Sequence, residues 1–445
     1  MTGWRPTGAL SRSLAVGGLG LALAVAFGDA VLVVLVAPFL LLGALGLLHR
    51  PRTRPAVRSQ LDHHSLHEGQ GTRSRLLVSD LEGVEHVTRV AGQVRFVATH
   101  PAHGRLGGLV ADPDTDSDTG SDTDGAPGLP VLEVGPRRWG RRVLGNEDVA
   151  LTSRWAGYRW GPVSLPGSQL QVLPVRAPYA SRAEAPQPLG LVGAHRSRRI
   201  GSGSEFSGIR PFQTGDRLRR INWRVSLREG NLHVVTARAE EDSGVLLVVD
   251  ALADHGRSGG IGGAASSLDV TVRAAAALAE HHVRRGDRVS LRAIGPRRVS
   301  VVGFGTGERH LRGLLGRLSM VGPGEPRTFG RDRPFFGVTG GTVVIVLSPM
   351  LSDAVATSTA TLVRRGLPVV VIDTLPADHV PAVAEGTDPA IAGLAWRMRR
   401  LERDQVLARL AALGCPVVAW RGPGTVDDVM RRLARRAQLP QVRHP

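Results

Sequence analysis

The sequence predicts a multidomain chain: an N-terminal transmembrane helical hairpin, a small β-sandwich-like domain, and a C-terminal α/β doubly wound domain. Three observations carry this. Residues 9–48 are almost wholly apolar and are broken only at Gly28-Asp29. Residues 76–175 hold short apolar runs punctuated by glycine and proline, the pattern of short strands joined by turns. From residue 245 onward, apolar strand-length runs alternate with helix-length amphipathic ones, the signature of βα units around a parallel sheet.

The hairpin occupies residues 1–50. Residues 30–48 form a 19-residue run without a charge, long enough to cross a bilayer. Residues 14–27 are shorter and glycine-bearing, and span only with help from residues 9–13. A secretory signal peptide is the rival reading, because Arg5 and Arg12 precede an apolar stretch. A second apolar run directly after the first argues against it. Arg5 and Arg12 on one flank, and Arg50, Arg52, Arg54 and Arg58 on the other, place both flanks in the cytoplasm by the positive-inside rule. The expected location is therefore the cell membrane, crossed by two helices, with the bulk of the chain cytoplasmic.

Residues 51–75 read as a juxtamembrane linker. His63 and His67 lie four apart, which on a helix would set both on one face as a metal pair needs, but no further ligands accompany them. The β-rich domain follows over residues 76–180, with strands expected at 76–78, 94–98, 129–134, 149–154 and 169–175. Its acidic loop, residues 112–125, carries six aspartates. As an EF-hand counted from Asp112, the loop fails at two places. Position 12 is Thr123 instead of glutamate, and position 6 is Ser117 instead of glycine. It reads as a solvated insertion.

Residues 181–243 hold the stretch that fits no ordinary helix or strand. A Gly-Ser lead-in reaches Gly203, Ser204, Glu205 and Phe206. Arg210-Pro211-Phe212 follows, then a turn at Gly215-Asp216, then Arg217, Arg219 and Arg220 before Ile221 and Trp223. Glu205 and Asp216 each have arginines near enough in sequence to pair with. One reading is a structural staple with Trp223 buried and Asp216 held by an arginine; the other is a partner-contact or catalytic surface. The pattern G-S-E-F, then R-P-F-x-x-G-D-x-x-R-x-I-x-W, resembles the signature of the domain-of-unknown-function 58 family. That resemblance implies N-terminal membrane helices, a β-rich segment, a C-terminal domain similar to the von Willebrand factor A fold, and a MoxR-type AAA+ ATPase as partner.

The α/β domain spans residues 244–440. Its strands are expected at 245–250, 288–294, 299–302, 342–347, 368–373 and 416–420. Its helices are expected at 269–285, 307–319, from Asp353, at 400–413 and from Val426. In such sheets ligands bind beyond the carboxyl ends of the strands. The resemblance implies a metal there, held by an Asp-x-Ser-x-Ser loop, a threonine and a later aspartate. Asp250 ends the first strand, yet Leu252 and Asp254 stand at the serine positions and the fourth-strand loop reads Leu347-Ser348-Pro349-Met350. The expected site is a degenerate remnant, with Thr306 the candidate threonine. The run Gly256 to Gly263 is glycine-rich but sits several residues past its strand, unlike a dinucleotide loop.

Composition narrows the functional classes. The 56 basic residues against 39 acidic ones give a formal charge of +17, and none of the basic residues is lysine. A Walker A loop and Schiff-base chemistry are thereby excluded. The arginines are spread along the chain with no aromatic-interleaved patch, which speaks against nucleic acid. Cys415 is the sole cysteine, so no disulfide framework exists. No G-x-S-x-G or H-E-x-x-H motif is present, and no cofactor is expected. The leading expectation is a membrane-anchored, non-enzymatic scaffold or adaptor working with a MoxR-type AAA+ ATPase in protein complex or envelope assembly. Two alternatives stay open. One is an enzyme using Glu205 and Asp216 as acid and base; the other is a metal-dependent adhesion module.

Overall fold

The computed structural model describes residues 3–110, 129–175, 200–213, 218, 221–238, 244–295, 299–323, 338, 342–377, 379, 386–422 and 425; at 200–207, 236–238 and 299 it describes backbone alone. The acidic loop 112–125, Gly215, Asp216, Arg220 and the helix expected from Val426 lie outside the described residues. The chain divides into two units, Met1–Leu173 and Pro174–Pro445.

The first unit opens with a two-residue strand, β1 (Arg5–Pro6), and two apolar helices, α1 (Gly8–Phe27) and α2 (Ala30–Leu48). Both are long and apolar enough to cross a membrane. The break between them follows from local chemistry. Gly28 takes φ +67, a left-handed conformation that closes α1, and the Asp29 side chain accepts from the Val31 backbone N–H to open α2. The helices pack closely because one face is small. A Cβ placed on Gly20 would lie 2.1 Å from Val36 Cγ1, the close backbone approach that small residues give to helices in lipid.

The strands that follow are β2 (Val57–Leu61), β3 (Ser65–His67), β4 (Thr72–Val78), β5 (Val84–Ala91), β6 (Val97–His100), β7 (Arg105–Leu109), β8 (Leu132–Pro136), β9 (Gly140–Val143), β10 (Glu147–Ser153), β11 (Tyr158–Leu165) and β12 (Gln169–Leu173). They form a five-stranded sheet β1-β11-β10-β5-β7, a four-stranded sheet β2-β4-β8-β6 and a three-stranded sheet β3-β12-β9. Among the described residues the unit has three sheets, one more than a simple sandwich. Leu76 of the four-stranded sheet packs with Val87, Val149 and Leu151 of the five-stranded one. Leu66 and Val172 of the third sheet join Leu132 and Val134 in a second core cluster. Residues 51–75, read from sequence as a linker, supply β2, β3 and the start of β4. His67 lies on a strand, so the helical spacing imagined for His63 and His67 does not apply.

Both flanks of the hairpin are knitted into this unit. Arg5 and Pro6 pair with Arg159 and Tyr158 of β11, and Trp4 Nε1 donates to the Thr53 carbonyl at 2.8 Å. Inside the unit, Arg89 on β5 is fully buried. Its guanidinium donates to both carboxylate oxygens of Glu147, at 2.8 and 2.7 Å, and to the Ser74 carbonyl at 2.6 Å. A buried arginine survives because its N–H groups are met by a carboxylate and carbonyls.

In the second unit, β13 (Ile200–Pro211) is followed by α3 (Trp223–Glu229) and β14 (His233–Arg238). β13 and β14 pair antiparallel with shifts of register near Phe206 and Gly208. The stretch that fitted neither helix nor strand is therefore a long strand in its first half. Bulges absorb its small residues, and the pairing with β14 supplies what local propensity lacks. The remainder alternates: β15 (Gly244–Asp250), α4 (Ser267–Arg284), β16 (Arg288–Ile294), β17 (Val299–Gly305), α5 (Gly307–Leu318), β18 (Thr342–Ser348), α6 (Asp353–Arg364), β19 (Val369–Asp373), α7 (Pro389–Ala412) and β20 (Val417–Ala419). The sheet runs β17-β16-β15-β18-β19-β20, parallel except for β17. All seven residues of β15 and of β18 are buried, as central parallel strands require.

The Arg89–Glu147 pair generates the first prediction. Glu147→Gln leaves the buried guanidinium without its counter-charge and should destabilise the first unit by about 3–5 kcal/mol, read as a lowered thermal midpoint. An unchanged midpoint would show that Ser74 and the neighbouring carbonyls suffice alone.

Candidate functional site

Numbered within the sheet, the strand order is third, second, first, fourth, fifth, sixth. The topological switch point therefore lies between β15 and β18, where open α/β sheets bind ligands. The two strands end there on Asp250 and Ser348. Ser348 Oγ donates to Asp250 Oδ2 at 2.6 Å, and Asp250 Oδ1 accepts from the Leu252 N–H at 3.1 Å. Ser348 Oγ in turn accepts from the Met350 N–H at 2.9 Å, and Met350 takes φ 52, an uncommon conformation for a residue with a Cβ. Leu252 and Met350 both pack against the core cluster beneath the sheet's carboxyl edge. Burial pushes the Asp250 carboxyl above the ordinary carboxylate range, and the hydrogen bonds from Ser348 and Leu252 pull partly against it.

The loop from β15 into α4 is equally closed on itself. Ser266 and Asp269 form a reciprocal capping box. The Ser267 N–H goes to the His255 carbonyl at 2.8 Å, and the Leu268 N–H to Asp254 Oδ1 at 3.1 Å. A helix start whose first N–H groups are already taken has none to offer a phosphate. The glycine run folds back locally, with the Gly259 N–H on the Ala264 carbonyl at 2.7 Å. Beneath it, Thr271 Oγ1 donates to Thr374 Oγ1 at 2.7 Å, joining α4 to the end of β19.

Helix α7 covers the loop after β18. Arg403 Nε donates to the Pro349 carbonyl at 2.6 Å, and the same guanidinium pairs with Asp373 at the end of β19. Arg399 donates to the Leu351 carbonyl. Trp396 stands edge-on to His379 at 4.7 Å between ring centroids, and His379 to His255 at 6.1 Å. Burial first, then the charge of His379, hold His255 below the ordinary histidine range; burial does the same for His379. Among the described residues, no three of His, Cys, Asp and Glu come together as a metal site would need. Thr306 does not approach Asp250. It follows Gly305, which pairs with Val289 at the start of β16, whereas Asp250 pairs with Ile294 at its end. The two residues lie at opposite edges of the sheet, because β17 runs antiparallel.

The signature residues divide. Gly203, Ser204, Glu205 and Phe206 lie on β13, where only backbone is described; Gly215, Asp216 and Arg220 are outside the described residues. Arg210, near the end of β13, donates from Nη1 to the Pro211 carbonyl at 3.0 Å. Trp223 was expected in the core and is instead 61% exposed at the start of α3. The reason lies in how α3 is held. Asn222 caps it through the Val225 N–H at 3.2 Å, and Ser226 binds inward to the Asn222 carbonyl and the His233 N–H, each at 2.8 Å. Polar bonds fasten the inner side, so Trp223 and Leu227, one turn apart, face solvent. Sequence reasoning missed Ser348 as the partner of Asp250, as well as Arg403 and the His255–His379–Trp396 stack. Ser348 had a signal, since it ends its strand as Asp250 ends the neighbouring one.

The raised carboxyl of Asp250 sets a pH test. Such a group costs nothing while protonated, and the cost grows as pH climbs from the ordinary carboxylate value toward its own raised one. Thermal midpoints of the wild type and Asp250→Asn over a pH series should diverge in favour of the variant from about pH 4 upward. The divergence should level off once Asp250 is ionised. A difference independent of pH would contradict this.

Residues 208–387 match the model of the family described as "Protein of unknown function DUF58". No curated protein matches the chain. The matched span holds the end of β13, α3, β14 and the sheet through β19, including Asp250 and Ser348; Gly203, Ser204, Glu205 and Phe206 lie just before it. Over residues 208–387 the chain is similar to the DUF58 family.

Proposed function

We propose that the protein is a membrane-anchored, non-enzymatic scaffold whose family signature docks a protein partner. The observation that carries this is the exposed pair Trp223 and Leu227 on α3, flanked by exposed Arg224 and Arg228. Large apolar side chains beside arginines on a polar-fastened helix are the composition of an interface centre and rim. By resemblance, the partner is a MoxR-type AAA+ ATPase acting in protein complex or envelope assembly. The sheet order and its one antiparallel edge strand support a von Willebrand factor A-like reading of the second unit. The metal of that fold does not fit here. Leu252 offers no oxygen and packs into the core, and both Asp250 oxygens already accept hydrogen bonds.

Anchorage is proposed through α1 and α2. The meeting of Trp4, Arg5 and Pro6 with the β unit supports placing both flanks of the hairpin on one side. Arginines on both flanks make that side the cytoplasm. Cleavage of α1 as a signal sequence would remove β1 and the tryptophan packed beside it.

Two measurements test this reading. The full-length chain should leave the membrane fraction only with detergent; recovery in the soluble fraction would contradict the anchor. A co-expressed MoxR-type ATPase should co-purify with the wild type from solubilised membranes, and Trp223→Ala with Leu227→Ala should abolish this. Because both side chains are exposed, the thermal midpoint should change by no more than about 0.5 kcal/mol equivalent per site. Undiminished co-purification by the double variant would overturn the assignment of the surface.

A further inference from the structure

Helix α7 outruns the contacts that hold it. Of its 24 residues only Arg403 and Leu410 are buried, and Val406 and Leu407 rest on the core cluster. Among the described residues, the hydrogen-bond and ring contacts of the turns up to Arg403 with the body run through a stripe, Trp396, Arg399 and Arg403, three and four residues apart. Away from that stripe stand Ile391, Leu394, Met398 and Leu401, each more than half exposed. Their spacing is three, four and three residues. At 100° per residue the four fall within an arc of about 80°, centred roughly 150° from the inward stripe. Such a row is the a–d–a–d seam of a coiled coil, narrower than the broad apolar face by which a helix lies on a bilayer.

The charges beside the seam identify what it fits. Arg397 precedes Met398 and Glu402 follows Leu401, the g and e positions of this heptad; Asp404 and Arg409 are the next g and e. In a parallel, in-register pair, each g residue meets the e residue five positions later on the other helix. That sets Arg397 against Glu402 and Asp404 against Arg409, opposite charges both times. Within the single chain Glu402 pairs with Arg399 and Asp404 with Arg403, and the pairing would exchange these contacts of exposed carboxylates for interhelical ones. From this complementarity we infer that α7 pairs in parallel with α7 of a second copy of this chain. Two heptads are a small interface beside the ~1,200 Å² of a stable one, so the pair is a weak one. The inference does not depend on docking at Trp223 or on membrane anchorage.

Thiol cross-linking of the full-length chain tests it, in whichever fraction the chain is recovered. The wild type, whose only cysteine is the buried Cys415, serves as background. With a short bis-maleimide, Leu394→Cys and Met398→Cys should each give a covalent homodimer, whereas Arg400→Cys, off the seam, should give little. Arg397→Glu in the Met398→Cys background should lower the yield several-fold, and adding Glu402→Arg should restore it. Equal yields at all three positions, or none at either seam position, would overturn the pairing. A charge reversal without effect or without rescue would overturn the parallel register. A Met398→Cys thiol that gives no dimer, yet is shielded from a water-soluble maleimide, would assign the face to lipid and also overturn it.

Discussion

The hydrogen bond from Ser348 to Asp250 is the point on which the second unit turns. It joins the carboxyl ends of the first and fourth strands at the one place where the chain reverses its direction of growth across the sheet. In open α/β folds that crevice is kept for ligands. Here the carboxylate, the hydroxyl and the next backbone N–H groups satisfy one another, and Leu252 and Met350 pack below. A buried carboxyl is costly unless hydrogen-bonded, and the local partners meet most of that need. The same partners leave little for an outside ligand.

Closure of the crevice moves attention to the surface. Arg403 and Arg399 pin α7 over the loop after β18, and its earlier turns leave Ile391, Leu394, Met398 and Leu401 exposed. The signature helix α3 repeats the arrangement on a smaller scale. Its inward contacts are polar and its apolar residues face out. In both places arginine or serine does the fastening, which frees hydrophobic side chains that a core would otherwise take. A contiguous row of exposed apolar groups is what makes such a face a candidate interaction site.

How much of this was legible follows from where the signal is local. The two N-terminal helices were legible as long apolar runs broken at Gly28-Asp29. The central strands β15 and β18 were legible because strands buried on both faces are continuously apolar. β5 was missed because Arg89 sits in its middle, and nothing local announces that Glu147, 58 residues away, will neutralise it. β2 and β3 were read as a linker because they are short and mostly polar, with Leu61 and Leu66 reaching the core only once the neighbouring strands pair with them. α7 was expected to start near residue 400, since its first turns bury too little to show a helical apolar face toward the core. The staple reading placed Trp223 inside, which overlooks that Ser226 and Asn222 already fasten the inner side of α3.

The central claim is that the switch point is sealed by its own residues and that the protein works through its surfaces. Isothermal titration of the full-length, detergent-purified chain with Mn²⁺ tests it most directly, because a vacant carboxylate at this place in the sheet would be the natural ligand. The account predicts no saturable heat. A one-to-one site that disappears in Asp250→Ala would contradict it and return the crevice to the role that open α/β sheets ordinarily give it.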